Sequence, residues 1–159
     1  YNTDGSNLST YPAVYRGILN FFGDIWTFIR DVVIINRNAN YNSVYLLKKG
    51  VNHSDVTIDN IQDKCYFIGD QANNNNFITE FDFRFGPYFI PNKAGTNKKA
   101  DYNWIRGNNG QDTDKAIRVL LLGGGANNGS GAGSGDFNSS WVRSDSAAIV
   151  GFFTTVKLD

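Results

Sequence analysis

The sequence predicts an α+β fold of short antiparallel strands, one or two short helices and long irregular loops. Three observations lead there. Strong helix formers are scarce, with a single Glu (Glu80) and no Met, while 21 Asn and 17 Gly supply turn chemistry. Aromatic residues make up 14% of the chain, 12 Phe, 8 Tyr and 3 Trp, and such residues fit a pleated, half-buried surface. The apolar runs are short and broken by Asn, Gly and Pro. A length of 159 residues suits one domain spanning 1–159, able to bury about 70% of its unfolded surface.

Taken in order, Val14, Ile18, Leu19, Phe21 and Phe22 have approximate helical spacing, with Pro12 at a first turn and Gly23 at a stop. This predicts a short helix over 13–22, weakened at Gly17 by about 1 kcal/mol. The run Ile25–Ile35 (IWTFIRDVVII) reads as a strand buried on both faces. Asn36–Ser43 is a turn by composition, and Val44–Lys49 returns as the second strand of a hairpin. Over 50–80 the pattern is faint: Val56, Ile58 and Ile61 alternate with polar residues, Cys65–Ile68 is a brief apolar run, and Asn73–Asn76 is an exposed tract. Phe81, Phe83 and Phe85 give the clearest period of two. Pro87 and Pro91 imply irregular extended backbone, and 92–114 reads as loop with Tyr102, Trp104 and Ile105 as anchors. Ile117–Leu122 is a buried strand, Gly123–Gly135 holds seven glycines in thirteen residues, and Ile149–Phe153 and Thr154–Leu158 close as strands.

Composition narrows the function classes. Fifteen basic and fifteen acidic side chains cancel, so the chain has no general pull on phosphate backbones, and nucleic acid is not an expected partner. Mean hydropathy is −0.35, and no run approaches the ~20 apolar residues of a membrane helix. One cysteine, Cys65, excludes an internal disulfide and any multi-cysteine zinc site.

The usual catalytic sets are thinly supplied. His53 is the only histidine, no G-x-S-x-G elbow surrounds any Ser, and His53 reads as a solvated loop residue. Cys65 reads as a buried, inert thiol. The stretch GGGANNGSGAGSGD lacks a GK[ST] signature, and no cation lies between Arg118 and Arg143, so it does not read as a phosphate cradle. Asp55, Asp59, Asp63, Asp112 and Asp114 lack EF-hand spacing. No catalytic residue, metal ligand or cofactor is therefore assigned, and the chain does not read as an enzyme.

Two segments carry a family resemblance. Tyr15-Arg16-Gly17-Ile18, Asn20 and Gly23-Asp24-Ile25-Trp26 resemble the Y-R-G-I-x-N-x-x-G-N-[IV]-W pattern of C-type-lectin-fold domains related to formylglycine-generating enzymes and phage tail proteins. Asp24 replaces the usual Asn, and Thr27 stands in place of Glu. Arg118-Val119-Leu120-Leu121-Leu122-Gly123-Gly124 through Gly151-Phe152 resembles the closing R-V-L-x-G-G … G-F-R segment of that fold, with Phe153 for the final Arg. Together they occupy about a third of the chain. The resemblance implies a C-type lectin-like fold. Cys65 is the only thiol, so the enzymatic branch with its redox-active cysteine pair does not carry over, and the E-P-N and Q-P-D calcium motifs of the sugar-binding branch are not present. What remains is the branch of variable proteins of diversity-generating retroelements, in which adenine mutagenesis rewrites codons near the 3′ end.

On that resemblance, 123–150 is the variable region of a ligand-binding display protein. Its surface would comprise Gly125, Ala126, Asn127, Asn128, Ser130, Asp136, Asn138, Ser139, Trp141, Arg143 and Ser146. Trp141 would be an aromatic anchor, Arg143 a planar donor, and the Asn, Ser and Asp residues adaptable hydrogen-bonding groups. The expected partner is a cell-surface protein or glycan receptor, and the expected setting a viral tail fibre or a cell surface, with a homo-oligomer such as a trimer raising avidity. The alternatives are a metal-dependent or catalytic relative on the same fold and a purely structural virion domain.

Overall fold

The computed structural model describes residues 14–15, 18–19, 26–36, 41–84, 88–96, 101–105, 117–125, 133, 135–144 and 150–151. The molecule is mostly β, which corrects the expectation of an α+β, C-type lectin-like fold. Among the described residues the only helical pieces are a single 3-10 turn, His53–Asp55, and the four-residue helix α1, Ile61–Lys64.

The predicted helix over 13–22 gives way to a hairpin. Strands β1 (Val14–Tyr15) and β2 (Ile18–Leu19) pair antiparallel with only Arg16 and Gly17 between them. A Gly that weakens a short helix favours a two-residue hairpin connection. With so few helix formers, among the described residues only the short pieces His53–Asp55 and Ile61–Lys64 hold helical hydrogen bonds against strand pairing.

The main sheet comprises β3 (Trp26–Asn36), β4 (Tyr41–Leu47), β5 (Cys65–Ala72), β6 (Asn76–Asp82), β7 (Ile90–Gly95), β8 (Tyr102–Trp104), β9 (Ile117–Leu122), β10 (Phe137–Asn138) and β11 (Val150–Gly151). Its order is β5-β4-β3-β9-β10-β8-β6-β7, and β11 adds to β3 in parallel. The β3–β4 hairpin pairs Val32 with Leu46 and Asn36 with Asn42. The loop read over 92–114 is partly strand, because β7 runs to Gly95 and β8 lies within it. Pro91 is tolerated inside β7 because β7 is an edge strand.

The sheet curls into a half-barrel whose two edge strands, β5 and β7, come together. Gly69 of β5 lies so close to β7 that a Cβ there would stand 2.9 Å from Ile90 Cδ1, and its φ of +153° also excludes a side chain at low cost. The concave face is filled by Val32, Ile34, Val44, Ile68, Ile78, Ile90, Leu120 and Phe137. On the convex face Val33, Ile35, Tyr45, Cys65 and Ile117 are covered by Val56 and Ile61 of the 48–64 connection. Farther along that face Trp26, Val119 and Leu121 are covered by Trp104 and Trp141. From Val32 to Ile35 strand β3 is thus buried on both faces, which is why the apolar run is unbroken there, while Arg30 and Asp31 before it are exposed.

Candidate functional site: a glycine-rich loop on a polar base

The glycine-rich segment begins where β9 ends and rejoins the sheet at β10. Its two ends are tied together: the Gly123 N–H donates to the Asp136 carbonyl (3.2 Å), and the Asp136 N–H donates to the Gly133 carbonyl (3.1 Å). Phe137 pairs with Leu122 and Asn138 with Leu121, so β9 and β10 form the antiparallel neck of a loop. Gly123, Gly124 and Gly125 are buried in that neck, and positive φ at Gly123 and Gly124 turns the chain away from the sheet.

Asp136 is the hub of the neck. It is wholly buried, and its Oδ1 accepts the Tyr102 N–H at 2.5 Å. The neighbouring Asp101 lodges its carboxylate against Gly133 and Gly135, where any Cβ would overlap it. Burial pushes the Asp136 carboxyl up to about 7; the Tyr102 N–H opposes this, and the Asp101 charge adds to it. The Asp136 Oδ2 atom is buried with no hydrogen-bond partner. The Trp104 indole N–H lies beside this carboxyl, but no acceptor meets it in hydrogen-bonding geometry.

Beneath the neck, the concave face turns polar. Asn36 and Asn42 oppose each other two residues beyond the apolar Ile34–Val44 pair, and Gln71 opposes Asn42. Arg118 opposes Ile34, Asn103 opposes Phe137, and Ser139 follows Phe137 on the same face. Every one of these six side chains is buried. Gln71 is the centre: it donates to Asn103 Oδ1 (2.7 Å) and accepts from Ser139 Oγ (2.8 Å) and Asn42 Nδ2 (3.4 Å). Asn103 in turn donates to the carbonyls of Ala72 and Asn74. The network ties β4, β5, β8 and the strand after the loop into one base.

Of the residues expected on the binding surface, Ala126, Asn127, Asn128, Ser130 and Ser146 lie outside the described residues. Gly125, Asp136, Asn138 and Ser139 are placed inside the protein rather than on an open face. Asn138 accepts from the Ser140 N–H and hydroxyl. Trp141 is half-buried against the convex-face cluster. Arg143 reaches across to the 3-10 turn and donates to the carbonyls of His53 (2.8 Å) and Val56 (3.0 Å).

His53 is not the solvated residue its sequence context suggests. It is buried, its ring is 6.5 Å from that of Phe28, and burial, reinforced by Arg143, holds its pKa below the ordinary value. Burial likewise pushes the Cys65 thiol up. Among the described residues no three or more His, Cys, Asp or Glu gather, and no helix is long and apolar enough to cross a membrane.

Sequence reasoning missed Gln71, Asn42 and Asn103, and read Trp104 only as an anchor. For Asn42 the available signal was the period of two, since it lies two residues before Val44; Gln71 lies three after Ile68 and reaches the same face only through the bulge opposite Val44 and Tyr45, which no spacing announces. No protein-family model, curated protein or solved structure matches the chain. Fold and site together define a curled, mixed-sheet β domain that carries a glycine-rich loop on a hydrogen-bonded neck.

Proposed function

We propose that this chain is a non-catalytic display domain that recognises a cell-surface protein or glycan through the segment 123–150, in the setting of a viral tail fibre or a cell surface. The closed neck carries this reading. A loop whose ends are tied at Gly123 and Asp136 on a buried polar base can change its intervening side chains without loss of the fold, which is what a recognition loop requires. The side chains most used in nucleophilic and acid–base work are committed elsewhere: His53 and Cys65 are buried in packing, and Glu80 is held by Lys93 (2.6 Å) and Asn92 (2.7 Å). Because Asp136, Asn138 and Ser139 face inward, recognition falls to residues between the neck positions and to those beyond Arg143. Oligomerisation in a fibre supplies avidity.

The test replaces 126–132 by an equal-length Gly/Ser segment. Fluorescently labelled wild-type and variant chains are compared on a glycan array and on candidate host cells. The reading expects unchanged melting and at least a tenfold loss of binding. Equal binding by the two chains would sink it. For the retroelement reading, a near-copy of the coding stretch for 123–153 that differs only at adenines is expected in the neighbouring DNA, together with a reverse transcriptase gene.

A further inference from the structure

We infer that the cleft beside the break in the β3 ladder binds a sugar carrying one negative charge, with Arg30 and Lys49 on its carboxylate or sulfate and Asp31 and Asn52 on its hydroxyls.

The cleft lies where β3 departs from a regular strand. Arg30 and Asp31 interrupt a largely apolar strand at the centre of the sheet, and Asp is depleted in strands. The ladder breaks with them. Ile29 pairs with Leu120 and Val33 with Val119, so the residues between have no counterpart on β9, and the register with β4 runs only from Val32 to Asn36. Such a bulge bends the strand and re-aims its side chains. Here both charged residues are exposed and line a cleft of about 350 Å³, a volume within the range of small-molecule sites, about 300–1,000 Å³. Charges that serve neither the ladder nor the core point to function rather than stability.

Neighbouring groups hold these charges in place. Arg30 Nη2 donates to Asn52 Oδ1 (3.0 Å), which orients the guanidinium and leaves its other N–H groups for a ligand. Lys49 sits at the corner of the 48–51 turn, which is closed by the Val51 N–H on the Lys48 carbonyl (3.1 Å) with Gly50 at φ +82°. Lys48 is committed elsewhere, to the carbonyls of Gln62 (3.2 Å) and Asp63 (2.8 Å). Among the described residues Asp31 forms no ion pair with Arg30 or Lys49.

This lining selects the ligand. Two cations facing one carboxylate favour an anion. Asp31 disfavours a second negative charge on that anion, and it accepts from hydroxyl groups. Tyr88, Leu46 and Val51 add an apolar wall against which the C–H face of a sugar ring packs. A bare inorganic anion uses neither Asp31 nor that wall. The cleft shares no residue with 123–150, so this inference goes beyond the loop reading and stands or falls separately from it.

The test is an NMR titration of isotope-labelled chain with sialyllactose, sulfated lactose, lactose and sodium acetate. The two acidic sugars are expected to give saturable amide shifts at Asp31, Lys49 and Val51, with lactose and acetate weaker by about tenfold. Arg30→Gln and Lys49→Gln should each weaken sialyllactose binding by about fivefold. Both side chains are exposed, so both variants are expected to fold, which circular dichroism checks, and each gives a reading if the other does not. The chain with 126–132 replaced by Gly/Ser should keep the same shifts and affinity. The site would be overturned by the absence of saturable shifts there with either acidic sugar. Lactose or acetate binding as tightly as the acidic sugars would overturn it too, as would unchanged affinity in either folded variant or loss of the shifts in the loop-replaced chain.

Discussion

The concave face of the sheet contains two layers made by the same strands, and they do different work. In the apolar layer, Ile34, Val44, Leu120 and Phe137 are interchangeable in kind: each contributes through the area it removes from water. In the polar layer, Asn42, Gln71, Asn103 and Ser139 are equally buried, but each is tied to named partners. An apolar layer tolerates a register slip by two residues at modest cost, whereas a hydrogen-bonded one does not. The comparison teaches that stability and register are separable here, and that the glycine-rich loop is anchored to the layer that sets register.

The largest effect expected is in the apolar layer. Phe137→Ala should cost about 4 kcal/mol, because Phe137 is 1% exposed and a cavity remains. Urea denaturation reads this as a lower midpoint with unchanged slope. If the loss were under 1 kcal/mol, the layer would not be close-packed.

Gln71→Leu keeps the volume and removes the hub. It should cost about 2–3 kcal/mol, since Asn103 Oδ1, Ser139 Oγ and Asn42 Nδ2 lose a partner in a buried setting. Ile34→Val, a conservative change in the apolar layer, should cost only about 1 kcal/mol. If the two variants were equally stable, the distinction between the layers would fail.

Asp136 places a pH dependence on the polar side. Its folded pKa, about 7, lies above the ordinary 3.8, so the folded state holds a proton that the unfolded state releases. This contribution to stability is full below about pH 4, declines as pH rises to 7, and is flat beyond. Asp136→Asn should remove that decline and melt higher than wild type at pH 8, by an amount on the order of 2 kcal/mol. His53 acts in the opposite sense. Its folded pKa is depressed below 6.5, so its contribution is fully present above 6.5 and is lost as pH falls from there through the lower folded value.

The smallest effect concerns the strut. Arg143→Ala removes two charge-assisted hydrogen bonds to carbonyls, yet the side chain is exposed in part, so about 1–2 kcal/mol is expected. Hydrogen exchange should rise first at Asp55 and Val56, whose N–H groups close the 3-10 turn.

The sequence was informative where one rule acts alone. Within the run Ile25–Ile35 the expected burial on both faces holds for Val32–Ile35, whereas Arg30 and Asp31 are exposed; Ile117–Leu122 is a buried strand as read. It was misleading where two rules compete. Gly17 and the apolar spacing of 13–22 fit both a helix and a tight hairpin, and pairing decided for the hairpin. His53 has polar neighbours in sequence and apolar ones in space, because the 48–64 connection folds back over the sheet.

By itself the sequence determined that strands would dominate any packed core, since it supplies aromatic and β-branched residues and few helix formers. It also determined that the 123–135 stretch carries little side-chain bulk. The tertiary structure alone decided which polar residues are interior. Gln71, Asn103 and Ser139 are separated by tens of positions, and only the curl of the sheet brings them within hydrogen-bond reach. It decided in the same way that Asp101 and Asp136 meet, because long-range pairing fixes which strand ends are neighbours and local propensity does not.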